Sequence, residues 1–183
     1  MDDSNKNKIE SLKGKELFLL DSSAFQIFEE WGSALHFDLL GKIQESPRHH
    51  FFITNEVFVE LHQKRQPKYM ARFFKYTLNS EASMSHETKF NLFPVEIDGK
   101  MVAVQTNAIS AEDFNQVWLC VNHPELSLIS NDRKLLKTTA VVLKGRVLGP
   151  STFIRKFIEM YPEDSALKRL HPILQRVKEK KVL

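Results

Sequence analysis

Four carboxylates occupy positions where a parallel α/β sheet would gather them. Asp21 directly follows a run of four apolar residues, and Asp132 closely follows a second strand-like run. Glu60 lies on the helix predicted after a third such run, and Asp113 lies in the first turn of the helix predicted before Asp132. Ligands of open α/β sheets bind beyond the carboxyl ends of the strands. We therefore expect the four acids to converge at one edge of the sheet.

Together these acids suit a divalent cation. Mg²⁺ prefers oxygen ligands and keeps several waters, so a few carboxylates and a substrate phosphate suffice to hold it. Clustered carboxylates raise one another's pKa values, and a bound cation removes that repulsion and lowers the pKa of its water. Acids at these positions therefore favour a metal-assisted hydrolytic site.

Each acid also has a simpler explanation when it is taken alone. Asp113 lies three residues after Ser110 and could be the acidic half of a helix-capping pair. Asp132 could be an ordinary turn or cap residue, and Glu60 could pair with a lysine one helical turn later. Asp21 is harder to explain in this way, because a buried strand end is a costly place for an unpaired carboxylate. The positions of all four acids relative to the predicted strands and helices favour one metal site over four separate explanations.

The segments around these acids resemble the PIN-domain nucleases. The resemblance covers roughly residues 15–160, and the stretch around Asp132 is its most specific part. It rests on Asp21-Ser22-Ser23, on residues 54–61 (Thr-Asn-Glu-Val-Phe-Val-Glu-Leu), on Ser110-Ala111-Glu112-Asp113, on residues 128–135 (Leu-Ile-Ser-Asn-Asp-Arg-Lys-Leu) and on residues 147–153 (Val-Leu-Gly-Pro-Ser-Thr-Phe).

The resemblance implies a metal-dependent endoribonuclease whose acidic pocket holds Mg²⁺ or Mn²⁺ and activates water against an RNA phosphodiester. It further implies that the metal ligands, or the groups that support them, are Asp21, Glu60, Asp113 and Asp132. Ser130 and Asn131 would orient ligands or phosphate. Glu56, one turn before Glu60 on the same helix face, is the substitute candidate for that position.

Two roles are compatible with this activity. The family includes VapC-type toxins, which act with a cognate antitoxin, and it also includes stand-alone RNA-processing nucleases. The chain is longer than the compact toxins, because it adds an N-terminal lead and a basic C-terminal segment. A non-catalytic RNA-binding or protein-interaction module with the same fold is the alternative from another class. An Asp-based phosphatase is disfavoured, because Ser23 stands where the second aspartate would be needed.

Basic residues supply candidates for RNA contact. Lys68, Arg72 and Lys75 lie on one face of a predicted helix, and a solvated helix face explains them equally well. Arg133 and Lys134 directly follow Asp132. Residues 1–132 contain 13 Lys and Arg against 19 Asp and Glu, whereas residues 133–183 contain 13 against 4. The basic end could contact phosphate, cover the domain or bind an acidic protein partner.

Apolar runs alternating with amphipathic segments predict an α/β fold with a central, mostly parallel sheet, and the resemblance implies a three-layer α/β/α sandwich. The first of these helices is expected from Ser22 to about Trp31, where Gly32 breaks it. Further helices are expected over residues 33–44, after Thr54, over residues 67–78 and after Pro150. The predicted strands are Leu17–Leu20, Phe51–Ile53, Phe93–Ile97, Met101–Val104, residues 126–130 and residues 140–143; Asp98-Gly99 predicts a hairpin turn and residues 79–91 a loop.

Composition limits the class of protein. The 183 residues are 42% hydrophobic and 27% charged, enough for one core and against wholesale disorder. Cys120 is the single cysteine, so no intrachain disulfide and no cysteine-based zinc site can form. No apolar run predicts a membrane span or signal peptide, so we expect a cytoplasmic protein without a membrane partner. We expect a lead-in over residues 1–14, a nuclease-like domain over 15–161 and a basic C-terminal helix within 162–183; a homodimer stays open.

Overall fold

A five-stranded parallel sheet organises the chain in the computed structural model, which describes residues 3–80, 92–106 and 109–177. Its strands are β1 (Glu16–Leu20), β2 (His49–Thr54), β3 (Thr77–Leu78), β6 (Leu126–Ile129) and β7 (Val147–Leu148), in the order β3-β2-β1-β6-β7. A separate antiparallel hairpin consists of β4 (Leu92–Ile97) and β5 (Lys100–Gln105). The α/β fold with a mostly parallel sheet is confirmed.

Helices cover both faces of this sheet. Before β6 lie α1 (Asp3–Glu10), α2 (Ser22–Ala34), α3 (Leu39–Gln44), α4 (Asn55–Gln63), α5 (Pro67–Ala71) and a 3₁₀ turn (Phe74–Tyr76). The later helices are α6 (Ala111–Asn122), which precedes β6, and then α7 (Arg133–Thr139), α8 (Pro150–Met160), α9 (Ser165–Lys168) and α10 (His171–Arg176). Among the described residues no helix is long and apolar enough to cross a membrane.

Side chains of the central strands point alternately to the two faces of the sheet, and so they contribute to two separate hydrophobic cores. Phe18 and Leu20 of β1 face the core built with α2, α3 and α8, whereas Leu17 and Leu19 face the core shared with α6 and the hairpin. Successive side chains of a strand point to opposite faces, so a strand covered on both sides reads as a continuous apolar run. The fold is therefore compatible with a three-layer α/β/α sandwich.

The strand order places a crevice beside β1. The chain fills the sheet outward on one side with β2 and β3 and then returns to add β6 and β7 on the other side of β1. Parallel pairing aligns Leu20 of β1 with Ile129 of β6, so Asp21 and Ser130 follow at the same edge. A reversal of this kind is where open α/β sheets bind ligands.

Gly32 does not end the first helix, contrary to the sequence prediction. α2 continues to Ala34, and the next helix begins at Leu39 rather than at Ser33. Gly32 is buried, and a Cβ atom there would lie 2.7 Å from the carbonyl oxygen of Phe37. The glycine is thus explained by the close approach of the returning chain and not by helix breaking.

The predicted strand at residues 140–143 is also wrong. These residues form turns after α7, and Lys144 and Gly145 both adopt positive φ. Val142 and Leu143 are nevertheless buried in the core beside α6. The last strand of the sheet is instead Val147–Leu148, which pairs with β6.

The helices predicted over residues 67–78 and within residues 162–183 are shorter than expected. The first ends at Ala71, and Thr77 and Leu78 pair with the end of β2 as a strand. The second is divided into α9 and α10, because Pro172 has no N–H to donate to the carbonyl of Lys168 and is instead accommodated in the first turn of a new helix. Leu167, Leu170 and Leu174 attach this end to the core. Residues 178–183 and most of the loop predicted at 79–91 lie outside the described residues.

Candidate functional site

Asp21 is a buried carboxylate held by serine hydroxyls. It precedes α2 at the N-cap position, yet its side chain makes no capping hydrogen bond. The hydroxyls of Ser23 and Ser130 each donate to Asp21 Oδ2 over 2.6 Å. A buried carboxylate needs such donors to offset lost hydration. The serines therefore fix the position of this oxygen at the end of β1.

Ser130 and Ser23 tie the ends of β1 and β6 together. Ser130 Oγ accepts a hydrogen bond from the backbone N–H of Asp132 at 2.9 Å, and Ser23 Oγ accepts from the N–H of Asn131 at 3.0 Å. The chain leaving β6 is consequently wrapped around the same two hydroxyls that hold Asp21. Ser130 takes part through its side chain and Asn131 through its backbone, and their predicted roles toward ligands or phosphate stay predictions.

Asp132 caps α7. Its Oδ1 accepts hydrogen bonds from the backbone N–H groups of Lys134 and Leu135, at 2.7 and 3.2 Å. The residue is exposed and does not line the cleft described below. Capping explains one carboxylate oxygen, as the simpler interpretation of the sequence proposed.

Asp113 lies close enough to two other acids for its ionisation to respond to them. Burial raises the pKa of the half-buried Asp113 carboxyl above its usual value, and the charges of Asp21 and Asp132 raise it further. Hydrogen bonds from Ser110 oppose this shift in the pKa. Ser110 also caps α6 by accepting from the N–H of Asp113 at 3.0 Å. Asp113 therefore lies within electrostatic reach of Asp21 and Asp132.

Glu56 is more enclosed than Glu60. Its Oε1 accepts hydrogen bonds from the Ser80 hydroxyl and from Asn115 Nδ2, the latter at 3.3 Å. Its Oε2 is buried and has no hydrogen-bond partner among the described residues. An unpaired buried oxygen of this kind is costly, and a cation or a donor would satisfy it.

Glu60 lies one turn later and is more open to solvent. Lys64 Nζ lies 2.8 Å from Glu60 Oε1, which is the i, i+4 pair that the sequence allowed. The hydrogen bond from Lys64 lowers the pKa of the Glu60 carboxyl, and a further bond from Ser22 acts in the same direction. Because Ser22 adjoins Asp21, this contact places Glu60 beside the end of β1.

A cleft of about 560 Å³ brings these side chains together. It is bounded by the end of β1, by one face of α4 and by the first turns of α6. Its lining includes Asp21, Ser22, Asn55, Glu56, Val59, Glu60, Gln63, Ser110, Asp113 and Gln116. Three of the four predicted acids and the substitute Glu56 therefore face one cavity.

Gln116 is a site residue that sequence reasoning missed. It is 2% exposed, and its Oε1 is buried without a hydrogen-bond partner among the described residues. It follows Asp113 by three residues and so lies on the same face of α6. Helical spacing from Asp113 was the signal that could have found it.

The oxygen atoms of the cleft suit a hard divalent cation. Carboxylate and amide oxygens dominate its polar lining, and two of them, Glu56 Oε2 and Gln116 Oε1, are buried and unpartnered. Within the described ranges, however, no three His, Cys, Asp or Glu side chains are arranged as a ready-made cation site. The chemistry of the donors therefore fits Mg²⁺ or Mn²⁺, and water ligands would be needed to complete the coordination.

The predicted RNA-contact residues lie outside this cleft. Arg72 forms a bidentate ion pair with Asp38 and lies over the ring of Tyr69 at 4.6 Å. The hydrogen bond from Arg72 lowers the pKa of Asp38, so much of the charge of this arginine is neutralised locally. The other four candidates are exposed; they are Lys68, Lys75, Arg133 and Lys134.

Comparisons with known proteins add no assignment. No family model, no curated protein and no solved structure matches this chain.

Proposed function

We propose that this protein is a divalent-metal-dependent endoribonuclease that hydrolyses RNA phosphodiesters at the acidic cleft. The observation that carries the proposal is that Asp21, Glu56 and Asp113 line one cleft, where burial and the charges of nearby acids raise the pKa of Asp113. A carboxyl group whose charged form is disfavoured by burial and by neighbouring acids is stabilised by a bound cation.

The chain's own residues would divide the work as follows. Asp21, Asp113 and Glu56 would hold the cation, and Gln116 would add an amide oxygen. Ser23 and Ser130 would keep Asp21 Oδ2 in place. A divalent cation bound there supplies positive charge for the phosphate and lowers the pKa of attacking water.

A non-catalytic module with the same fold is the second candidate. It is favoured by the capping roles of Asp132 and Ser110 and by the lack of a ready-made cation site among the described acids. Against it, a module that binds RNA passively gains nothing from carboxylates that repel phosphate. The toxin and the stand-alone nuclease would share the proposed chemistry and differ in their partners.

The decisive experiment compares Mn²⁺-dependent cleavage of a mixed single-stranded RNA panel by the wild type and by Asp21→Asn. Asparagine keeps the size of the side chain but loses its negative charge, so we expect cleavage to fall at least about 100-fold. Chelation of the metal should abolish cleavage by the wild type.

Asp98→Asn is the matched control, because Asp98 lies exposed at the hairpin tip. It should cleave like the wild type. Equal activity of Asp21→Asn and the wild type would remove Asp21 from the site, and silence of the wild type with no Mn²⁺ binding by calorimetry would favour the non-catalytic module.

A further inference from the structure

An exposed aromatic cluster lies on α4 and the segment that follows it. Phe74 is 67% exposed, which is unusual for a phenylalanine, whereas its neighbour Phe73 is 1% exposed in the core. The Phe74 ring contacts Phe58 edge to face at 5.8 Å, and Phe58 in turn lies 5.8 Å from the ring of His62. Because Phe73 fills the core position, Phe74 is not needed for packing.

The cluster is continuous with the acidic cleft around the surface of α4. Val59, which lines the cleft, is 54% exposed and directly follows Phe58. At about 100° per residue, His62 and Val59 are neighbours around the helix, and Gln63 comes next on the cleft side. The aromatic rings are therefore separated from the acids by about the width of one helix, roughly 10 Å.

The charges around the cluster suit a polyanion. Lys75 directly follows Phe74 and is exposed, with its ammonium over the ring of Tyr76 at 4.8 Å. Lys68 is also exposed on the preceding helix. A ring with a free face beside cations is the arrangement by which proteins hold unpaired bases and their phosphates.

We propose that Phe74, supported by Phe58 and His62, is a stacking platform for an unpaired base of single-stranded RNA whose backbone runs on across α4 into the acidic cleft. This inference rests on the proposed function, for which it specifies the substrate class. Duplex RNA is excluded from the platform, because the faces of paired and stacked bases are covered. A few nucleotides span the distance from the ring to the acids.

The test measures binding rather than cleavage. A fluorescein-labelled single-stranded RNA is titrated with protein in a metal-free buffer that contains chelator, and the readout is fluorescence anisotropy. Phe74→Ala should bind about ten-fold more weakly, the effect of removing one base–aromatic contact. Phe74→Trp should bind at least as well as the wild type.

Met101→Ala is the matched control. Met101 is 68% exposed on the hairpin, so this substitution also removes exposed apolar surface. It should bind like the wild type. An otherwise identical RNA of abasic nucleotides should bind the wild type and Phe74→Ala equally, since no base is left to stack.

The outcomes separate the platform from the catalytic proposal. If Phe74→Ala binds RNA more weakly and the wild type cleaves no RNA, the stacking platform is supported and the nuclease proposal is contradicted. Cleavage by the wild type with unchanged binding by Phe74→Ala, or equal binding of duplex and single strand, would overturn the platform alone. A wild-type dimer that Phe74→Ala dissociates, without loss of RNA affinity, would assign the ring to a protein interface, and no RNA binding by the wild type would also overturn the platform.

Discussion

Asp21 has exchanged the usual role of an N-cap aspartate for hydrogen bonds to two serine hydroxyls. Aspartate at an N-cap position ordinarily accepts backbone hydrogen bonds from the helix. Here the carboxylate gives up that role and accepts from Ser23 and Ser130 instead. The first turn of α2 loses a cap, and the oxygen is held at the mouth of the cleft. Such a fixed carboxylate orientation is what the proposed metal-ligand role of Asp21 requires.

Removing one of these hydroxyls should weaken the site without removing any acid. We expect Ser130→Ala to lower Mn²⁺ affinity and RNA cleavage about 10- to 100-fold, as loss of a group that orients a ligand does. Calorimetry with Mn²⁺ and single-turnover cleavage check the two effects separately. Ser127→Ala, near the start of β6 and away from the cleft, should change neither. A Ser130→Ala protein that binds Mn²⁺ like the wild type would show that the hydroxyl only secures the turn after β6.

Residues with two roles limited what the sequence could predict of the site. Spacing alone could not decide whether Asp132 and Asp113 are helix-cap residues or cleft acids, and the structure gives each a local hydrogen bond as well as an electrostatic role. Glu56 and Glu60 lie on one helix face, so only their partners distinguish them. Gln116 escaped notice because a neutral amide carries no charge pattern.

At the level of elements, short sequence motifs predicted the backbone correctly where the motif itself determines the backbone conformation. They failed where packing against distant residues determines it. Asp98-Gly99 predicted its hairpin, because both residues must adopt positive φ in such a turn. The apolar run at residues 140–143 read equally well as a strand or as buried turns, since a short run has no diagnostic period. Gly32 looked like a helix breaker because the approach of Phe37 is a contact that only the fold reveals.

Gly32 offers a test of this packing explanation. Gly32→Ala should lower the free energy of unfolding by about 1–3 kcal/mol, because the added Cβ meets backbone atoms that cannot move aside easily. If the glycine merely weakened a helix, the same substitution would instead stabilise the protein by up to about 1 kcal/mol. Urea denaturation distinguishes the two signs. Ser33→Ala, at the exposed neighbouring position of α2, should stay within about 0.5 kcal/mol of the wild type.

For the whole molecule, the order of the strands in the sheet determines which predicted site residues come together, and the sequence did not predict that order. The apolar runs predicted the central strands, but the order β3-β2-β1-β6-β7 is what brings Asp21, Ser130 and α6 to one edge. At the start of β2, packing against aromatic rings from other elements buries the adjacent His49 and His50. Burial of two histidines in a central strand has a consequence for stability that the sequence did not predict.

Acid should destabilise the fold through these histidines. Burial lowers the pKa of His50 to about 4, with Lys15 and Lys75 acting in the same direction, and burial also lowers the pKa of His49. Because unfolded histidine titrates near about 6.5, the unfolded chain binds more protons, and stability falls as the pH drops from about 6.5 towards about 4.

His50→Phe tests this, since His50 already packs between the rings of Phe52 and Tyr76. The urea midpoint of the wild type should be lower at about pH 5 than at about pH 7.5. His50→Phe should reduce that difference, because it removes one histidine that takes up a proton only on unfolding. Each pH unit in this window costs at most about 1.4 kcal/mol per histidine. The exposed His171→Asn should retain the full difference. Equal pH sensitivity in all three proteins would mean that other groups govern acid unfolding.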